Sequence, residues 1–228
     1  MLAAVIFDFD GIIVDTEPIH YRAFQEVLVP LGLGYPWTDY LDRYIGFDDR
    51  DAFREAFRAR GESLSEDHLY QLIGEKARAF NRVISSGVEP YPGVVELILS
   101  LVETVPVALC SGALRSDIAP ILQQLKLTNA FGVIVTADDV PTSKPDPASY
   151  RLALQRLISR FPDSSISAES SIAIEDTPAG IASARGAGLQ VLGVTNSYPA
   201  DKLSGACKVV ETLAGIDYPE LNSLLSRP

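Results

Sequence analysis

Short apolar runs rich in β-branched residues recur along the chain at residues 2–7, 105–110, 133–135, 172–174 and 191–194. Runs of that length with so few polar interruptions predict strands buried on both faces. Between most of them, apolar positions spaced by three and four residues predict helices over 93–103, 115–125, 148–159 and 178–186. This alternation predicts an α/β fold, a Rossmann-like parallel sheet with helices on both faces.

One segment breaks the alternation. From residue 17 to residue 89 only helical patterns occur, at 21–28, 50–60 and 66–84, and no run has the character of a strand. The reading is a small all-helical cap domain, residues 17–90, inserted after the first strand of a core formed by 1–16 and 91–228. Glu89-Pro90-Tyr91-Pro92-Gly93 suits the crossing back, because two prolines restrict the backbone there. Trp37, with Tyr35 and Tyr40 near it, is expected to pack this insert. Gly186 and Gly188 are expected to end a helix and admit the next strand. There is no internal repeat and no low-complexity tract.

Composition narrows the function. With 30 acidic and 19 basic residues among 228, the net charge of −11 repels a phosphate backbone, and no basic block interrupts it. Nucleic acid is therefore not an expected partner. The start, Met1-Leu2-Ala3-Ala4-Val5-Ile6-Phe7-Asp8, lacks a basic n-region and a long apolar stretch, so neither a signal peptide nor a membrane span is expected. The two cysteines, Cys110 and Cys207, show no metal-binding spacing and are too few for a disulfide framework. A reducing, cytoplasmic setting is expected. No heptad seam calls for an obligate partner, which predicts a monomer.

The chemistry is concentrated after the strands. The first apolar run ends in Asp8-Phe9-Asp10-Gly11, the second in Ser111-Gly112, the fourth in Glu175-Asp176-Thr177. In an open parallel sheet these ends converge on one edge, where ligands bind. Four carboxylates brought together repel one another unless a cation is present, and hard oxygen ligands in this number suit Mg²⁺. The alternative for Asp10 and Asp176 is a turn or helix-capping role. Lys144, in Ser143-Lys144-Pro145-Asp146-Pro147, is either a solvated loop charge or a cation held toward a phosphoryl group by the flanking prolines.

Asp8-Phe9-Asp10-Gly11 with Val14-Asp15-Thr16-Glu17, then Ser111, then Lys144-Pro145-Asp146-Pro147, then Glu175-Asp176-Thr177-Pro178-Ala179-Gly180, resemble the four ordered motifs of the haloacid dehalogenase superfamily. The likeness covers nearly the whole chain. It is greatest to the branch with a small helical cap, which contains β-phosphoglucomutase and phosphoglycolate phosphatase. The resemblance implies Asp8 as the nucleophile that forms an aspartyl-phosphate and Asp10 as general acid and then base. It implies Mg²⁺ held by the Asp8 carboxylate, the Asp10 carbonyl and Asp176, with Glu175 a ligand or a residue that supports one. Ser111, with Gly112 beside it, and Lys144 would bind the phosphoryl group. Dehalogenase members dispense with metal, which would leave Asp10 and the Glu175-Asp176 pair without a role. A non-catalytic descendant would have lost some of these residues.

The insert is expected to select the substrate. His20 and Lys76 fall where β-phosphoglucomutase has a hinge histidine and a substrate-facing lysine; the alternatives are a solvated helix position and a surface charge. Arg50, in Gly46-Phe47-Asp48-Asp49-Arg50, either contacts substrate or pairs with Asp48 or Asp51. In the mutase the arginine follows the glycine after two residues, whereas here three intervene and two are acidic. The run after Ser111 also departs from the mutase. The expected activity is Mg²⁺-dependent hydrolysis of a small phosphorylated metabolite, a sugar phosphate or short acid phosphate. A β-phosphoglucomutase-like sugar phosphomutase is the alternative.

Overall fold

The structure, a computed structural model, describes residues 1–45, 47–85 and 87–225. The chain runs β1 (Ala4–Phe7), α1 (Glu17–Leu28), α2 (Trp37–Asp39), α3 (Asp49–Ala59), α4 (Glu66–Ile84), α5 (Val94–Leu101), β2 (Val107–Cys110), α6 (Arg115–Gln124), β3 (Val133–Val135), α7 (Ala148–Arg160), β4 (Ser171–Glu175), α8 (Pro178–Gly186), β5 (Gln190–Val194), β6 (Lys208–Val210) and α9 (Tyr218–Leu224). All strand pairs are parallel, in the order β3-β2-β1-β4-β5-β6.

Strand alternation assigns each residue to a face. Val5, Phe7, Val107, Leu109, Ile172 and Ile174 meet Val94, Leu97, Ile98, Ile118, Ile121 and Leu221 of α5, α6 and α9. Ala4, Ile6, Ala108, Cys110, Ala173 and Val191 meet Tyr150, Ala153, Leu157, Ile181 and Ala184 of α7 and α8. Burial on both faces is why these strands read as continuous apolar runs. β1 lies mid-sheet between β2 and β4, where successive connections diverge to opposite sides and open a crevice at the carboxyl ends.

Three differences from the sequence reading have physical causes. The runs at 2–7 and 105–110 pair only from Ala4 and Val107 onward, because their first residues are buried on the approach to the sheet without joining it. β6 is a three-residue edge strand, half-buried throughout, so it leaves no apolar run to find. α9 is short, but it carries a start signal that apolar spacing alone passes over: Asp217 accepts from the Glu220 N–H, and Pro219 lies in the first turn.

Between α1 and α4 no strand occurs among the described residues. Phe24, Phe53, Phe57, Leu69 and Leu72 form a cluster separate from both faces of the sheet. Trp37 stacks on Tyr40 and meets Tyr21 edge-on, with ring centroids 5.2 and 5.1 Å apart. α2 runs into a π-helical turn, Tyr40–Tyr44. Asp48 caps α3 by accepting from the Asp51 N–H at 2.9 Å, and Ser65 caps α4. Both cysteines are free thiols, and no described helix is long and apolar enough to cross a membrane.

Candidate active site

The register Phe7↔Leu109 and Phe7↔Ile174 brings the ends of β1, β2 and β4 to one level, so Asp8, Ser111, Glu175 and Asp176 start from a common edge. Asp8, Glu175 and Asp176 each offer a carboxylate oxygen, all within 4.8 Å of one another, and all three residues are buried. Close packing at this edge needs two glycines. A Cβ on Gly11, whose φ is +77°, would stand 1.9 Å from Asp176 Oδ2, and one on Gly180 would stand 2.0 Å from the Glu175 carboxylate.

Lys144 supplies the positive charge. Its ammonium donates to Asp8 Oδ1 at 2.8 Å, Glu175 Oε1 at 2.6 Å and the Cys110 carbonyl at 3.2 Å. Burial opposes its charge, but Asp8 and Glu175 outweigh burial and hold its pKa above the ordinary lysine value. Glu175 is saturated with donors. Oε1 also accepts from the Tyr150 hydroxyl at 2.8 Å, and Oε2 from the Asp176 N–H, the Thr177 N–H and the Thr177 hydroxyl. Asp176 is the opposite: both carboxylate oxygens are buried without a hydrogen-bond partner among the described residues. Burial, then the charges of Asp8 and Glu175, push its pKa well up, while Ser197 nearby works the other way. Burial and Glu175 raise Asp8 to about 8 against the pull of Lys144. Bare, mutually repelling oxygens fit a hard divalent cation.

Asp10 has a different environment. Thr16 occupies the cap position of α1, yet its hydroxyl accepts no N–H of the helix and donates to Asp10 Oδ1. His20 Nε2 lies 3.4 Å from the same oxygen, and the Ser111 hydroxyl donates to Oδ2 at 3.3 Å. Burial raises the Asp10 pKa, but His20 and Thr16 outweigh it and the net shift is downward. On its far side, His20 Nδ1 is 2.8 Å from the Lys76 ammonium. An ammonium only donates, so Nδ1 accepts and the imidazole proton sits on Nε2, aimed at Asp10.

Lys76 is fully buried, so the surface-charge alternative does not apply. Its other two protons go to Asp49 Oδ1 at 2.8 Å and Asp117 Oδ2 at 3.1 Å. All three donors are engaged, and Lys76 does not line the pocket. Its expected substrate-facing role is therefore not what the geometry displays. Arg50 is likewise turned away from the pocket: it pairs with Asp48 at 2.5 Å and donates to the Val140 carbonyl at 3.1 Å. The carboxylate two residues before it captures the guanidinium. Gly46 lies outside the described residues. Of the other residues expected from sequence, Asp8, Asp10, His20, Gly112 and Lys144 line one pocket, with Ser111, Glu175 and Asp176 packed behind it. Glu17, Tyr40, Phe24, Phe47 and Asp49 complete its insert side, and the Tyr40 hydroxyl donates to Glu17.

Asp117 and Tyr150 stand in no motif of the sequence, Asp49 shows only as part of the acidic pair in Phe47-Asp48-Asp49-Arg50, and Thr16 stands in Val14-Asp15-Thr16-Glu17 with no role of its own assigned. The insert closes on the core through Lys76–Asp117, His20–Asp10, Arg50–Val140 and the Ser143 hydroxyl on Asp51.

The model of the haloacid dehalogenase-like hydrolases matches residues 5–194. The chain belongs to that family. Among curated relatives of this haloacid dehalogenase-like hydrolase is the phosphorylated carbohydrates phosphatase of Thermotoga maritima, 31% identical over 200 residues, 86% of this chain and 87% of the relative. Another is the fructose-1-phosphate phosphatase YqaB of Escherichia coli, 30% identical over 84% of this chain and 96% of the relative. Among solved structures, β-phosphoglucomutase from Clostridium difficile superposes with a TM-score of 0.87 at 21% identity, covering 99% of this chain and 98% of that one. The chain thus falls in the phosphoglucomutase and phosphoglycolate phosphatase-like branch of the family.

Proposed function

We propose that this hydrolase is a Mg²⁺-dependent phosphatase that cleaves a small phosphorylated metabolite, a sugar phosphate or short acid phosphate, through an aspartyl-phosphate on Asp8. The observation that carries the reading is that Asp8 and Asp10 line one pocket with Lys144, whose ammonium lies 2.8 Å from Asp8. Two carboxylates at one strand end, one beside a cation and one hydrogen-bonded to an imidazole, divide into nucleophile and proton carrier.

In this mechanism an Asp8 oxygen attacks phosphorus and the ester oxygen departs. Asp10, once it carries a proton against the downward pull of His20 and Thr16, delivers it to that oxygen and regains one from the water that attacks the aspartyl-phosphate. His20 and Thr16 hold the Asp10 carboxyl in place, and Lys144 stays on the phosphoryl oxygens throughout. The Asp8 and Asp176 carboxylates and the Asp10 carbonyl would hold Mg²⁺, whose contribution is to neutralise charge on the phosphoryl group and keep it in line. Glu175, with every lone pair in use, orients Lys144 and the start of α8 in preference to binding metal. The pocket is partly open and offers about 50 Å³, room for a few waters. Pockets that hold small molecules run to roughly 300 Å³ or more, so the insert opens to admit substrate and shuts to exclude water.

The names of the two curated relatives support hydrolysis of a carbohydrate ester. A mutase has to hold a second phosphate in the insert, and Arg50, the guanidinium expected there, is already paired with Asp48. The test is phosphate release from sugar, acid and nucleotide monophosphates, with Mg²⁺ and with chelator. β-Glucose 1-phosphate and a bisphosphate activator are assayed in parallel for glucose 6-phosphate. Metal-dependent release that Asp8→Asn abolishes is the expected result. Glucose 6-phosphate without net phosphate release would replace this reading with the mutase.

A further inference from the structure

Asp49 is the first residue of α3, held in place because the preceding residue, Asp48, caps that helix. The residue is 6% exposed and lines the same pocket as Asp8 and Lys144 from the insert. Oδ1 is occupied by Lys76; Oδ2 is buried and has no hydrogen-bond partner among the described residues. A buried carboxylate oxygen left bare is costly, and among the described carboxylates only Asp49 and Asp176 have one. Asp176 faces the candidate cation site. Asp49 lines the pocket from the insert.

The surroundings restrict what can satisfy Oδ2. Lys144, at the nucleophile, is the only Lys or Arg among the described residues lining the pocket. Lys76 is spent on His20, Asp49 and Asp117 and has no proton left for a ligand. Glu17 adds a second carboxylate on the insert side. A second phosphate placed there would meet two acceptors and no free cation, whereas a hydroxyl brings the missing donor. Phe24, Tyr40 and Phe47 add apolar ring surface for the C–H faces of a ring or chain.

We infer that Asp49 is a specificity-determining residue, whose Oδ2 accepts a hydroxyl of the leaving group, so that the substrates are monophosphate esters of neutral polyhydroxylated compounds and bisphosphates are rejected. The inference rests on the phosphatase reading and deepens it. Asp49→Asn makes a sharp probe, since the amide keeps an oxygen for Lys76 and turns the free atom into a donor. Asp117→Asn is the control: it alters the same lysine from a residue outside the pocket.

The experiment measures kcat/KM for phosphate release from glucose 1-phosphate, glucose 1,6-bisphosphate, fructose 1-phosphate, fructose 1,6-bisphosphate and p-nitrophenyl phosphate. For at least one pair, the wild-type protein is expected to favour the monophosphate by about tenfold or more. Asp49→Asn should lower the sugar monophosphate to aryl phosphate ratio by about tenfold, and Asp117→Asn should leave it within about twofold. An equal fall in both variants would assign the effect to the lysine cluster and overturn the inference. So would an unchanged ratio in Asp49→Asn, or wild-type hydrolysis of bisphosphates as fast as monophosphates, a comparison that needs no variant to fold. Turnover of the aryl ester alone would overturn the inference while leaving the phosphatase reading intact. No release from any ester would overturn both.

Discussion

Two lysines with enclosed side chains, each set among carboxylates, lie one at the strand ends and one under the insert and follow opposite logics. At the strand ends Lys144 meets Asp8 and Glu175, while Asp176 keeps two bare oxygens and a raised pKa. Under the insert, Lys76 divides its three protons among His20, Asp49 and Asp117, so the cation is complete and one Asp49 oxygen is bare. The first cluster carries more negative charge than its lysine can answer, an imbalance that the proposed metal would relieve. The second is a clasp. Its lysine comes from α4, its carboxylates from α3 and from α6 of the sheet layer, and its histidine reaches Asp10. One ammonium therefore ties the insert to the core and, through His20, bears on the placement of Asp10.

Removing a charge should thus have opposite effects in the two places, and the larger is expected at the clasp. Lys76→Met leaves Asp49 and Asp117 buried without their cation, a change that costs about 3 to 5 kcal/mol when a buried pair is broken. Urea denaturation followed by circular dichroism reads it. A loss below about 1 kcal/mol would mean that the cluster behaves like a solvated surface pair. At the strand ends, Asp176→Asn removes a carboxyl whose ionisation burial, Asp8 and Glu175 oppose, and is expected to stabilise the metal-free protein above about pH 4.

The same Asp176→Asn variant should weaken Mg²⁺ binding by about 100-fold, and Glu175→Gln by about tenfold, because the first carboxylate has free oxygens and the second orients its neighbours. Calorimetric titration of Mg²⁺ into each variant separates them. Equal losses would give both carboxylates the same role, and the reverse order would exchange them.

The two regions also differed in how far the sequence revealed them. The strand-end site was readable because a parallel sheet converts each strand terminus into a position, and four acids cannot converge without chemistry. β1, β2 and β4 carried their own apolar runs, so Asp8, Ser111 and Glu175 could be placed before any coordinates. The insert offered no such rule. His20, Asp49, Lys76 and Asp117 come from four helices, and helical periodicity reports which face is buried without reporting which buried faces meet. A lysine on α4 resembles a solvated charge until its partners, 27, 41 and 56 residues away, are known. Arg50 follows the second of its two readings for a local reason: the acid that caps α3 also captures the guanidinium.

The finest expected difference is one of pH. With no metal bound, Asp8 is raised to about 8 and Asp176 lies well above its ordinary value. An unfolded carboxyl ionises near pH 4, so between about pH 4 and about pH 8 the folded chain holds more protons than the unfolded one, and its stability falls as pH rises through that window. Mg²⁺ held as proposed would replace those protons and compete less well when they are abundant. The rise in Tm that saturating Mg²⁺ gives over chelator is therefore expected to grow from about pH 5 to about pH 8, by a few degrees, in parallel with the loss of metal-free stability. Asp176→Asn should flatten that dependence, whereas Asp117→Asn, at the clasp, should leave it standing. A Mg²⁺ shift of constant size across the range would mean that the strand-end carboxylates are ionised without metal, and that the contrast between the two clusters lies in their hydrogen bonds alone.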